Sequence, residues 1–167
     1  MASIDLEDLI PDLKVELQTP GATTYDGVST EEWTIRLRNA FWEAHNYGFM
    51  SGWTENEGLV SALNNPTAAA MTRDQQHLII LHAAMTVIRS ELRQLNSRSL
   101  YEAGSVKYET ERSANVLKGI LDDMNSRLAY LVQRLADDGI ATDIHYIDSY
   151  ISRQNAINTD LAVWVGG

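Results

Sequence analysis

Four histidines and a long series of carboxylates are the first side chains to test for chemistry, because cysteine is absent from all 167 residues. Without a thiol, disulfide frameworks, thiolate zinc sites and cysteine nucleophiles are excluded. His77 and His82 stand five residues apart. That is neither the i,i+3 nor the i,i+4 spacing that turns two imidazoles to one helix face, so they make no metal pair. His45 falls near a predicted helix C-terminus, where the dipole favours a cation, and His145 lies among Ile144, Tyr146 and Ile147; both read as packing or surface residues. The acidic pairs Asp122-Asp123 and Asp137-Asp138 are adjacent in sequence. Neighbours on a helix diverge by about 100°, so neither pair can flank one substrate as acid and base. Gly48-Phe49-Met50-Ser51-Gly52 has the glycine spacing of a nucleophile elbow, but Met50 occupies the central position where serine is needed. No glycine-rich phosphate loop or dinucleotide fingerprint is present. The expectation is a non-enzymatic protein with no catalytic, cofactor-binding or metal-binding residue.

Electrostatics narrows the partners. With 13 basic against 23 acidic residues the formal net charge is −10. Binding DNA by counterion release needs clustered Lys and Arg, which such a chain is poorly placed to supply. Residues 1–32 set Asp5, Glu7, Asp8, Asp12, Glu16, Asp26, Glu31 and Glu32 against Lys14 alone. Arg89, Arg93, Arg98, Arg112, Lys118, Arg127 and Arg134 are scattered among acidic neighbours, the pattern expected of solvated faces and intersubunit ion pairs. The N-terminus, Met1-Ala2-Ser3-Ile4-Asp5, lacks the basic and apolar regions of a signal peptide, and no apolar run approaches the roughly 18 residues of a membrane span. A protein made in the cytoplasm, without membrane contact, is expected.

The scaffold that positions these residues reads as mainly α. A length of 167 residues suits one domain with its own core. Residues 4–17 carry Leu6, Leu9, Ile10, Leu13 and Leu17 at near-helical spacing, with Asp8 the expected N-cap and Pro11 in the first turn. Residues 18–28 read as a loop. Ser29 and Glu32 form a capping box, followed by Trp33, Leu37, Ala40, Phe41 and Ala44 on one face of a helix over 30–45. Residues 49–60 suit a short hairpin or an ordered loop, and Asn64-Asn65-Pro66 a turn. A second capping box, Thr72 with Gln75, opens a seam of Leu78, Leu81, Met85, Ile88, Leu92 and Leu95. After a break at 96–107 the seam returns as Leu117, Leu121, Met124, Leu128, Leu131 and Leu135, stopped by Gly139. Helices over 72–95 and 108–136 are therefore expected to pack antiparallel, each hiding the other's seam as core rather than as a free coiled-coil surface. Trp33, Phe41, Trp42 and Trp53 are expected to fill core space rather than to stack bases.

Beyond 140 the apolar spacing weakens. Residues 1–151 are expected to form the helical body and 152–167 an extended C-terminal docking tail, in which Leu161, Val163 and Val165 alternate around Trp164. So much apolar surface at a terminus predicts docking on another chain, as an added strand or a packed anchor.

One stretch resembles a known family. Leu100-Tyr101-Glu102-Ala103-Gly104-Ser105-Val106-Lys107-Tyr108-Glu109-Thr110-Glu111-Arg112-Ser113-Ala114, running into Val116-Leu117-Lys118, is similar to head-to-tail connector (adaptor) proteins of tailed bacteriophages, the siphophages. There a Tyr, an Ala-Gly pair, a small residue and Val precede an aromatic-Glu dipeptide and a Ser-Ala. Where that family commonly places Pro after the glycine, Ser105 stands here. The similar stretch covers about a quarter of the chain, and the order of short helix, aromatic helix, loop and two long helices agrees over most of the rest. The resemblance implies a virion protein of the neck, a homo-oligomeric ring, commonly of twelve subunits, that joins the portal protein above to a tail-side neck or stopper protein below. DNA would pass through its channel without specific binding, past acidic and neutral side chains of the N-terminal half or the first long helix. Two other classes remain open on the residues alone: a cytoplasmic helical bundle that regulates a partner through a groove, and an enzyme built on converging His and Asp side chains.

Overall fold

The computed structural model of the chain describes residues 3–18, 25, 27–63, 70–99, 105–140 and 144–163, excepting the side chains of 98–99, 105–111, 144–147 and 158–163. Among them the order is strand β1 (Ser3–Asp5), a 3₁₀ turn (Leu6–Leu9), α1 (Ile10–Leu17), α2 (Thr30–Asn46), β2 (Trp53–Asn56), β3 (Leu59–Ala62), α3 (Arg73–Ser99), α4 (Ser105–Asp137) and α5 (Ile144–Val163). The protein is mainly α, as the periodicity implies, with one small antiparallel sheet ordered β1-β3-β2.

Both capping boxes start their helices. Ser29 Oγ accepts from the Glu32 N–H at 3.2 Å. At α3 the exchange is reciprocal: Thr72 Oγ1 accepts from the Gln75 N–H at 3.2 Å, and Gln75 Oε1 accepts from the Thr72 N–H at 3.1 Å. The two long helices are antiparallel, since the start of α3 meets the end of α4 through Asp74–Arg134 (2.8 Å) and His77 lies beside the earlier Arg127. Leu78, Leu81, Met85, Ile88 and Leu92 of one seam and all six residues of the other, five leucines and Met124, are buried, so the seams are core.

The hairpin expectation resolves to β2 and β3 joined by Glu57-Gly58, both at positive φ (51° and 96°), the geometry that matches strand twist in a two-residue turn. A Cβ at Gly58 would also meet the Thr34 methyl at 3.1 Å, so the turn packs directly on α2. The paired strands bury Val60 and Glu55 on one side and leave Asn56 and Leu59 exposed on the other.

Three expectations need correction and one is extended. The segment 4–17 is not one helix: residues 3–5 add a strand to β3, and Asp5 rather than Asp8 caps the 3₁₀ turn, its Oδ1 accepting from the Glu7 N–H at 3.0 Å. The bare edge of β3 offers three residues of ladder, and β1 takes it. Second, the antiparallel long pair stands as expected, and α3 is in addition the centre of the bundle. From Leu78 to Arg89 every residue except Thr86 is buried, because α1, α2, α4 and α5 all pack on it. A helix apolar on every side belongs at the centre of a bundle. Third, residues 152–163 are not extended but continue α5, with Tyr150 and Gln154 one turn apart and both fully buried. The body therefore does not end at 151. Fourth, Trp42 is not a core residue: it is 38% exposed, its indole N–H donating to Glu55 instead. The turn expected at Asn64-Asn65-Pro66 lies outside the described residues.

Candidate functional site

Among the described residues three clusters of polar side chains each tie an outer element to the bundle. The first holds α1. Glu16 accepts two bonds from Arg127 of α4, at 2.9 Å from Nη1 and 2.7 Å from Nη2, and its Oε1 lies 3.3 Å from His77 Nε2 of α3. The His77 ring and the two-pronged guanidinium outweigh the opposing effect of burial and pull the Glu16 carboxyl down to about 2. A carboxylate this strongly held is a clamp and has no proton to donate at neutral pH.

The second locks the hairpin to α2. The strand alternation that buries Trp53 also turns Glu55 inward, where burial disfavours its charge. Gly58 N–H (2.7 Å), Trp42 Nε1–H (2.8 Å) and Arg38 Nε (2.6 Å) surround it and more than compensate, so its carboxyl lies below the ordinary value.

The third seats α5. Tyr150, with no exposed surface, places its hydroxyl 3.0 Å from His82 Nδ1 and its ring against Tyr47 and Phe49. Burial, with the positive charges of Arg89 and Arg153, lowers His82 to about 4, so the imidazole is neutral near pH 7. Burial likewise pushes the Tyr150 hydroxyl up and brings Arg89 down to about 10. At the rim Arg153 donates to the Tyr47 hydroxyl at 3.0 Å and lies 3.6 Å from Glu43, and Asn125 donates to Asn155. Beside these contacts Gln154 is fully buried, and its amide nitrogen and oxygen find no partner among the described residues. Tyr150 has no exposed surface and His82 only 8%, so the pair is buried between α5 and α3.

His45 lies part-buried in the last turn of α2, its ring edge-on to Trp42 at 5.1 Å. Asp122, Asp123, Asp137 and Asp138 are exposed. Among the described residues no three His, Asp or Glu side chains are grouped to hold a metal ion, and no helix is long and apolar enough to cross a membrane. Of the basic residues expected on solvated faces, Arg93 and Arg112 are exposed, but Arg89 is only 6% exposed, and Arg127 and Arg134 pair within the chain. The outer acids Asp5, Glu7, Asp8, Asp12, Glu31 and Glu32 are all exposed, whereas α3 has almost no free face over 78–89 from which to line a channel.

Of the four docking residues expected from sequence, Leu161 and Val163 belong to the last turn of α5, with side chains outside the described set, and Trp164 and Val165 lie outside the described residues. What sequence reasoning missed is the seat of α5: Tyr150, Ile151, Gln154 and Ile157 keep helical spacing, and the glutamine in the middle hides the pattern. No family model matches the chain, and neither a curated protein nor a solved structure is significantly similar to it.

Proposed function

We propose that this chain is a structural subunit of a tailed-bacteriophage head-to-tail connector, forming a homo-oligomeric ring, dodecameric by the family's habit, between the portal and a tail-side neck or stopper protein. The observation that carries the reading is the 100–114 stretch leading into the second long helix, which resembles that family. Two physical features support it. Glu16 clamps α1 to both long helices and Glu55 clamps the hairpin to α2, around a central helix that is almost wholly buried over 78–89, giving the rigid body that a ring subunit needs. The N-terminal elements also carry an exposed acidic surface, which repels a polyanion and would let DNA slide past without sticking. In this reading the channel is framed by the N-terminal elements rather than by α3, and Leu161, Val163, Trp164 and Val165 anchor the subunit to the portal or to a neighbouring subunit.

Mass measurement of the protein alone and mixed with its portal tests the assignment. A ring-sized complex that forms with the portal, and is lost on Leu161→Ala/Trp164→Ala substitution without a change in melting temperature, is the expected result. A monomer or dimer indifferent to the portal would overturn it and favour a helical bundle that regulates a cytoplasmic partner.

A further inference from the structure

The α5 interface differs in kind from the α3/α4 interface it leans on. From 112 to 137, α4 buries Ala114, Leu117, Leu121, Met124, Leu128, Leu131, Val132 and Leu135, an apolar side chain at nearly every inward position. Over 148–157, the described side chains of α5, the fully buried ones are Tyr150 and Gln154, with Ile151 and Ile157 half-buried. Apart from the Tyr150 ring against Tyr47 and Phe49, the remaining ties of these described side chains are polar: Tyr150 hydroxyl to His82, Asn155 to Asn125, and Arg153 to Tyr47 and Glu43. Gln154 then sits at the position where α4 would use a leucine. A buried amide without a partner opposes docking, because both of its polar atoms regain water when the helix leaves.

From this contrast we infer that α5 is a releasable arm: the helix from Ile144 to Val163 is held on the bundle by a polar latch and undocks as a unit while α1 to α4 stay folded. Gln154 is the residue that keeps the latch weak. Elements that move are drawn from the least stable part of a fold, and here that part is defined by chemistry rather than by position at the terminus. Undocking bares a mixed surface with Phe49 and the half-buried Tyr47 at one end and the buried His82 and Arg89 along α3. Release is a property of the isolated subunit, so its test needs no portal and stands apart from the connector reading.

Hydrogen exchange on the full chain at neutral pH reads the device directly. Amides 148–157 are expected to exchange at least about tenfold faster than amides 78–92, through an opening that spares the bundle. Gln154→Leu removes the unpartnered amide and is expected to slow α5 exchange on the order of tenfold, with 78–92 unchanged. Because the chain has no cysteine, an Asn125→Cys/Asn155→Cys variant bridged by a short bis-maleimide can fasten α5 to α4. Bridging is expected to bring the exchange of α5 down to that of α4. Wild-type α5 amides exchanging as slowly as 78–92 would overturn the proposal. So would Gln154→Leu leaving α5 exchange unchanged or speeding it. Should the double-cysteine variant fold poorly, the wild-type comparison and Gln154→Leu decide the matter between them.

Discussion

Replacing Glu16 by Gln removes the charge that joins α1 to both long helices while keeping the side chain's size and one acceptor oxygen. The carboxyl falls from 4.5 to about 2 in the folded chain. At about 1.36 kcal/mol per unit, that shift has a ceiling of roughly 3 kcal/mol. His77 and Arg127 are 42% and 39% exposed, so solvent screening brings the expected value to about 1–2 kcal/mol. Because the carboxyl is depressed on folding, the stabilisation is fully present above pH 4.5 and is lost as pH falls through about 2. Urea unfolding of the wild type and Glu16→Gln, at pH 7 and again at pH 3, separates this contribution from other acid effects. With a slope of about 2 kcal/mol/M the midpoints should differ by roughly 0.5–1 M at pH 7. At pH 3 more than half of that gap should be gone. Equal midpoints at pH 7, or a gap that persists unchanged at pH 3, would show that Glu16 is a solvated surface charge and that α1 is held by its leucines alone.

Leu128→Ala, at 1% exposure in the α4 seam, should lower unfolding free energy by about 2–5 kcal/mol through the cavity it leaves; an unchanged melting temperature would remove that residue from the core. The His82 ring should titrate near pH 4 by NMR rather than near 6.5. Its depressed value means that stability is complete above pH 6.5 and declines as pH falls from there through about 4, and a ring midpoint above 6 would refute its burial against Arg89 and Tyr150. Duplex DNA should not be retarded by the isolated protein at micromolar concentration and low salt; binding that weakens steeply with added salt would contradict the repelling acidic surface.

Periodicity and capping chemistry determined much of this fold without any structure. Ser29 with Glu32 and Thr72 with Gln75 mark helix starts through local hydrogen bonds that involve no distant residue, and the seams at three- and four-residue steps require a partner of matching length. The mainly α class and the antiparallel long pair come from those signals. The absence of cysteine and the charge of −10 are properties of composition and needed no coordinates. Tertiary structure alone decided the outcomes that depend on which surfaces meet. Residues 3–5 became a strand because β3 had an unpaired edge, and no local preference encodes that edge. Arg89 went inside, and Arg127 and Arg134 found partners in α1 and α3, because residues 111 and 60 positions away came to lie beside them. Gln154 reads as a surface residue in any local window, yet α5 lies against the bundle on that face and encloses it. Burial is a property of two surfaces, and a sequence window contains one of them.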